Sequence, residues 1–548
     1  MAPRDRIWTR REIEAQIAAG RKLIILDGQI IKADAWLPFH PGGEKAILHM
    51  VGRDGTDEIR ALHSPEAQRQ MLKFVVGRVE GRWENMLPPI QGGVFRKEGE
   101  DEKKEQEQAD AASASDDSSS LPPSPIFDAI QVDGVRQRHR DNASSRTSLS
   151  SLCDSVSGKE STRFTNNASD DLSNYPSLDP VAQGKVISTY RDLDVQLRAA
   201  GLYNCPYWAY GIESLRYAAL FISSMYCLHI GQYLLSGCLL GLFWHQLVFT
   251  AHDAGHMGIT HNFHVDTCIG ILIADFLGGL SIGWWKRNHN VHHIVTNSPE
   301  HDPDIEHMPF FAISSRFFES LRSTYYDRVM SFDAVAQFAI KYQHLLYYPL
   351  LALGRFNLYR LSWEYLLSSQ PPSKGPAWWH RWLELFGQCV FWYWYGYIIL
   401  YRTIPTLSAR LVFILASHII TGPLHVQITL SHFAMSTADL GPRESFPQRM
   451  LRTTMDVNCP PWMDFIHGGL QFQAIHHLFP RIPRHNLRKA KPYVEQFCDD
   501  VGVPYVCFDF VTGNREVLGR LEEVARQVEV FEAAQNAAAQ DLIHGHSH

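Results

Sequence analysis

Three histidine groups, each set where an apolar run gives way to polar sequence, constrain this chain more than any other feature. The middle one, WWKRNHNVHH from Trp284 to His293, holds His289, His292 and His293 within five residues. The others are HDAGH, with His252 and His256, and QAIHH, with Gln473, His476 and His477. A lone histidine is most often an ordinary hydrogen-bonded side chain. Seven in three short groups point instead to metal ligation. Imidazole suits iron, zinc and copper alike, so ligand type alone does not name the metal. Seven imidazoles, with His432 in LSHF a candidate eighth, exceed one tetrahedral zinc site and suit two metals with open positions.

If all three groups serve one centre, the chain must return them to the same side of any bilayer it crosses. Residues 209–251 are apolar with a weak break at Gly231-Gln232; a span takes about 20 residues, so this stretch predicts two helices in a hairpin. Residues 268–283 are shorter and interrupted by Asp275 and glycines. A crossing there would separate HNVHH from HDAGH, so a re-entrant or interfacial segment is expected, buried against protein. Two further spans fall at 385–401 and 409–431, and 334–356, with Lys341, Gln343 and His344, suits an in-plane amphipathic helix. Residues 206–514 thus read as an all-α multi-span membrane domain, about four transmembrane helices with a cytosolic cap of histidine groups. Arg402 and Arg410, in the loop this topology makes lumenal, run against the positive-inside tendency. The mean hydropathy of −0.19 averages these runs with a very polar segment.

That polar segment separates the membrane domain from a small N-terminal one. Residues 1–83 alternate strand-like pieces (KLIILDGQIIKAD) with short helical ones, an α+β pattern. Within it FHPGG, Phe39 to Gly43, places His40 at a turn where backbone can approach a flat cofactor, and His63 follows the helix-compatible TDEIRAL. Two imidazoles on opposing walls can bind a haem iron from both faces, which leaves no open site and makes the haem an electron carrier; a turn histidine and a surface histidine are the plain alternative. A fused one-electron donor favours a redox-active metal in the membrane domain, and non-haem di-iron is the economical reading. Asp54, Asp57 and Glu58 read either as a docking face for a reductase or as solvated surface. Residues 84–205, with EGEDEKKEQEQAD and ASASDDSSS, are too polar to offset chain entropy and read as a disordered linker. Its roughly 120 residues would span about 55–65 Å, letting the haem domain reach any face on its own side without a fixed pose.

Smaller features fill out the expectation. Asn142 and Asn167 head N-x-S sequences on the linker, where a cytosolic location would leave them unglycosylated. The nine cysteines show no C-x-x-C pair and read as reduced thiols. The N-terminus lacks an apolar signal core, so the first domain is expected in the cytosol. A net charge of −7 gives no nucleic-acid footprint. Residues 515–548 read as a C-terminal helix and tail, with Val517, Leu521, Val524, Val528 and Phe531 at helical spacing. Trp284, Trp285 and the run FWYWYGY either line a substrate channel or anchor the interface. Asp302, Asp304 and Glu306 orient ligand histidines, meet a polar headgroup, or are loop solvation.

The N-terminal motifs WTRREIEAQ, LDG, HPGG and GRDGTDEIRALHS together resemble cytochrome b5, which implies haem b with His40 and His63 as axial ligands. The three histidine boxes, this domain and Gln473 in place of a first histidine in the third box resemble the membrane front-end desaturases. HDAGHMGITHNFHVD and ADFLGGLSIGWWKRNHNVHHIVTNSPEHDPDIEHMPFFA are similar to fungal delta-8 sphingolipid desaturases. The resemblance implies two non-haem iron ions, with His252, His256, His289, His292, His293, His476 and His477 as ligands at the catalytic centre and His432 and Gln473 at or near the metal. It implies O2 as co-substrate, NADH-cytochrome b5 reductase as electron source, and a ceramide-type sphingolipid whose long-chain base is desaturated. It also implies a multi-pass protein of the endoplasmic reticulum membrane, haem domain and boxes cytosolic. His261, His264, His425 and the terminal HGHSH fall outside the boxes. A front-end fatty acyl desaturase of the delta-5 or delta-6 type needs the same residues, a hydroxylase shares the oxidant, and a non-catalytic haem-bearing lipid-binding membrane protein is the alternative of another class.

Overall fold

The computed structural model describes residues 5–97 and 168–544, with side chains to residue 537. Four strands, β1 (Ile7–Trp8), β2 (Leu23–Leu26), β3 (Gln29–Lys32) and β4 (Val75–Val79), form a sheet in the order β1-β4-β3-β2. The β2–β3 hairpin closes through Asp27 and Gly28, both at positive φ, the backbone that a tight two-residue turn demands. Short helices surround the sheet. The first, Arg10–Ala18, starts from a Thr9–Glu12 capping box and buries Ile13 and Ile17 beside Leu23, Ile30 and Val51. The α+β expectation for this domain holds.

The expected linker requires correction at its far end. Residues 98–167, with Asn142, Asn167 and the Ser-rich runs, lie outside the described residues. Pro180–Ala199, however, is a helix capped by Asp179, and it buries Val186, Tyr190, Leu193 and Leu197 against the region that carries Ile475, Leu478 and Phe479. Those four residues make one narrow apolar stripe in an otherwise polar stretch, enough to fold against a partner and too little to stand out from composition.

Among the described residues two helices are long and apolar enough to cross a membrane, Tyr233–Gly255 and Leu407–Phe433, with mean hydropathies of 1.5 and 1.6. Four crossings are therefore not confirmed. Tyr207–His229 pairs with the first but carries Glu213 and Arg216, and His380–Phe391, continuing helically to Thr403, is dominated by Trp and Tyr rings that are only half apolar. Phe263–Leu277 and Ile282–Val295 meet at a bend of 118°; counted as one broken span they would raise the total to three. The break is built rather than frayed. Ser281 caps the second helix, and Gly283 N–H and Ser281 Oγ donate to the buried Glu384 at 3.0 and 2.5 Å. Ile282 N–H reaches the equally buried Asp275 at 3.4 Å. Helix-start N–H groups that would otherwise be stranded thereby find acceptors.

The segment 334–356 forms helices Ala334–Lys341 and Gln343–Ala352, with Gly354 opening the next. Ala336, Ile340 and Tyr347 turn inward while Val335, Phe338, Leu345 and Tyr348 stay exposed. That apolar outer face suits the in-plane role expected for it. Phe510–His544 packs Val517, Leu521, Val524 and Val528, all at most 1% exposed, against Ile340 and Phe433. The haem domain, in turn, is seated. Ala46, Ile47 and Met50 share an apolar cluster with Val291, Ile294 and Val295, so it has a defined pose where the tether alone suggested none. Asp57 pairs with Arg191 at 2.7 Å and Glu58 lies 3.6 Å from Arg449; neither is solvated surface.

Candidate metal centre

Each histidine group is delivered by a helix. His252 and His256, four residues apart, close the last turn of Tyr233–Gly255 and share one face. His289, His292 and His293 lie on Ile282–Val295, His432 near the end of Gly422–Phe433, and His476 and His477 on the short helix Gln473–Leu478. Between the first two groups the chain bends by 118°, and the rings of His252 and His256 lie 5.3 and 5.0 Å from that of His289.

The imidazoles assemble into two neighbouring groups. His252, His256, His289 and His476 offer nitrogens within 4.8 Å of one another, and His292, His432 and His477 do the same. His293 lies between them, its Nε2 3.1 Å from His289 Nε2 and its ring stacked on His477 at 4.3 Å. Gln473 is buried at the start of the box-three helix, three residues before His476. Buried nitrogens on four of these rings, His256 Nε2, His293 Nδ1, His476 Nε2 and His477 Nε2, have no hydrogen-bond partner. Orphaned buried nitrogens are costly unless something accepts their lone pairs. Burial, then the neighbouring imidazoles, hold His476 and His477 well below the usual histidine range. Neutral rings with free lone pairs are what metal ligation needs; His292 departs from this, since Asp302 and Asp304 outweigh burial and raise it to about 9, so it would give up its proton to a bound ion, and with that the donor set fits two ions.

Carboxylates fix the rings from behind. His292 Nδ1 lies 2.8 Å from Asp302 Oδ2, and the same carboxylate accepts from Asn297 N–H at 2.7 Å and Asp304 N–H at 2.9 Å. Asp304, held by the Asn288 amide, stands 3.7 Å from Nδ1 of both His289 and His292. Asp302, 0% exposed and in contact with His292 Nδ1, is placed to orient that ring. Glu306 does otherwise. It accepts from Ser323 at 2.5 Å, and burial pushes its carboxyl up to about 8. Trp285 stacks on His289 at 4.4 Å and stands edge-on to His252 and His256 at 5.3 and 5.5 Å. A Cβ at Gly255 would come within 2.1 Å of that indole, so the glycine is what admits it.

One supporting network escaped the sequence. Asp253, inside HDAGH, accepts from Arg484 Nη1 and Tyr210 Oη, each at 2.5 Å, and Arg484 also pairs with Glu213. This ties box one to the segment after box three; an acid between two histidines and an arginine beyond PRIP were the signals available. Histidines outside the boxes serve the backbone: His261 contacts the carbonyls of Met257 and Tyr203, and His425 that of Leu351. His264 lies 3.3 Å from His380. All eight described cysteines are free.

In the N-terminal domain the rings of His40 and His63 face each other with centroids 5.9 Å apart. His40 Nδ1 is 2.9 Å from Gly43 O and His63 Nδ1 3.2 Å from Ile59 O, which leaves each Nε2 free as a ligand. Burial lowers both, His63 to about 3, so both are neutral near pH 7. The pair fits a haem iron held from both faces.

Residues 229–509 match the fatty acid desaturase family and residues 9–80 the cytochrome b5-like haem/steroid binding domain. A Delta 8-(E)-sphingolipid desaturase of Emericella nidulans is 58% identical over 552 residues, covering 100% of this chain and 99% of that protein. One of Candida albicans is 44% identical over 96% of this chain and 97% of its own. An acyl-lipid (9-3)-desaturase of Borago officinalis is 38% identical over 63% of this chain and 76% of its own. With imidazoles set for iron, an opposed histidine pair set for haem and apolar helices between, the chain belongs to the fatty acid desaturase family, as a membrane member fused to a cytochrome b5-like domain.

Proposed function

We propose that this protein is a sphingolipid desaturase that introduces an E double bond at the delta-8 position of the long-chain base, with electrons supplied through its own haem. One observation carries the reading. The box histidines and His432 converge in two adjacent buried groups with orphaned nitrogens, in a chain that aligns end to end with relatives named for that reaction. His252, His256, His289 and His476 would hold one iron and His292, His432 and His477 the other, with His293 between the two and Gln473 beside them. Bound there, iron would supply an oxidant able to break an unactivated methylene C–H bond, with two electrons coming from the lipid and two through the haem as O2 is reduced to two waters.

The chain's own residues perform the positioning. Asp302 fixes the His292 ring, Trp285 covers the first imidazole group and excludes water, and Arg484 braces box one through Asp253. His40 and His63 hold the haem. NADH-cytochrome b5 reductase is the external donor. Four crossings, Tyr207–His229, Tyr233–Gly255, His380–Thr403 and Leu407–Phe433, with 268–283 re-entrant, keep the boxes and the haem domain on the cytosolic side of the endoplasmic reticulum membrane.

The test is expression in a yeast lacking delta-8 desaturation, followed by profiling of long-chain bases and fatty acyls. A delta-8 long-chain base is expected. His292→Ala should abolish it with the haem spectrum intact, and His40→Ala should erase the haem signal. A new double bond in fatty acyls, with unchanged long-chain bases, would overturn the substrate assignment.

A further inference from the structure

The helix Ile282–Val295 has two working faces. At about 100° per residue, Trp285, His289, His292 and His293 share one side, and Arg287, Asn290, Val291 and Ile294 the other. The second side is the seat of the haem domain. Val291, Ile294 and Val295 are each at most 6% exposed and pack with Ala46, Ile47 and Met50. Glu44 takes both ends of the Arg287 guanidinium, at 2.6 and 2.5 Å. A Cβ at Gly42 would stand 2.6 Å from Asn290 Nδ2 and 3.0 Å from His40 Cε1, so Asn290 touches the loop that carries a haem ligand. Around the rim, Lys45 donates to Asp327 at 2.7 Å and Arg481 to the His63 carbonyl at 3.1 Å.

Resting on the reading that the haem feeds the metal centre, we infer that the haem domain delivers its electron from this one seat without leaving it between turnovers, and that Arg287 and Asn290 are positioning residues holding the His40 loop against the helix that bears His289 and His293. Leaving the seat would return a shared apolar core to water, a cost that a surface ion pair alone does not carry. In the seat a single helix, about 10–12 Å across with its side chains, separates the His40 loop from the imidazoles. One electron enters from an external donor, reducing haem iron from ferric to ferrous, and one leaves across that helix, restoring ferric iron; two such passages serve each double bond. The donor reduces the domain in place, on a face other than Asp57 and Glu58, which Arg191 and Arg449 occupy.

The experiment locks the seat in the full-length, haem-loaded protein with Gly42→Cys and Asn290→Cys. Expected is ready cross-linking under mild oxidant, a haem spectrum that is the same in the cross-linked and thiol forms, and re-oxidation of ferrous haem by O2 and ceramide as fast as in the thiol form. Failure to cross-link, or a cross-linked protein whose haem stays ferrous until a thiol reductant is added, overturns the fixed seat. A second variant needs no cysteine. Arg287→Glu should slow haem re-oxidation about tenfold while reduction by dithionite is unchanged, and adding Glu44→Arg should restore it. Re-oxidation at the parental rate in Arg287→Glu, or no rescue by Glu44→Arg, overturns the positioning role. If the unaltered protein's ferrous haem is not re-oxidised on adding lipid and O2, the electron-feed reading fails, while cross-linking yield still judges the seat.

Discussion

Replacing Asp302 with Asn tests whether the carboxylate behind the His292 ring controls iron binding. The two carboxylate oxygens of Asp302, 0% exposed, receive His292 Nδ1 at 2.8 Å, Asn297 N–H at 2.7 Å and Asp304 N–H at 2.9 Å. An amide of the same shape has one oxygen for these donors, and its NH2 must face another N–H. Losing such a partner typically costs about 10–100-fold in metal affinity, about 1.4–2.7 kcal/mol. Purified Asp302→Asn protein should therefore hold less iron per haem than the parent when both are dialysed against a graded chelator series, with the haem spectrum as the control for folding. Long-chain-base desaturation in yeast should fall in step, and excess iron in the medium should restore part of it. An iron-to-haem ratio that tracks the parent across the chelator series would refute the orienting role.

Other perturbations reach different parts of the molecule. Arg484→Met strands the buried Glu213 and Asp253, so stability should fall by about 3–5 kcal/mol, read by thermal unfolding in detergent; an unchanged midpoint would refute the bracing role. Gly255→Ala forces a methyl into Trp285 and should cost about 1–3 kcal/mol by overpacking, with product loss exceeding haem loss; parental activity would show the indole free to move. For pH, His63 is neutral in the folded chain down to about 3 against an ordinary 6.5. The unfolded chain gains a proton first, so this contribution is full above pH 6.5 and declines as pH falls toward 3. In haem-free protein it should amount to about 2 kcal/mol lost by pH 5, measured by denaturant unfolding; a His63→Leu variant with the same pH dependence would exclude His63 as its source.

What the sequence revealed follows from what is local. His252 with His256 announce a shared helix face through their spacing of four, and His40 at a Pro-Gly-Gly turn announces a close backbone approach. The bend at 278–281 falls inside 268–283, the stretch that its short length, Asp275 and glycines set apart. What stayed hidden depends on distant partners. Val186, Tyr190, Leu193 and Leu197 are unremarkable until the region around Phe479 is set beside them. The Arg484–Asp253 pair joins residues 231 apart. Glu58 looks like any surface acid until Arg449 covers it. Hydropathy likewise cannot settle helices rich in Trp and Tyr, whose rings suit both lipid edge and protein interior.

The double-sided helix Ile282–Val295 has a consequence for modularity. A fused electron carrier invites exchange, one carrier domain grafted in place of another. Here such a graft must match Arg287, Asn290, Val291 and Ile294, which cannot be redesigned freely because His289, His292 and His293 share their backbone. If these histidines hold iron as proposed, a change made to suit a new carrier should shift them, and a change made to tune them should unseat the carrier. The two domains should therefore tolerate substitution as a matched pair, and chimeras should succeed only when that helix travels with the haem domain it was fitted to.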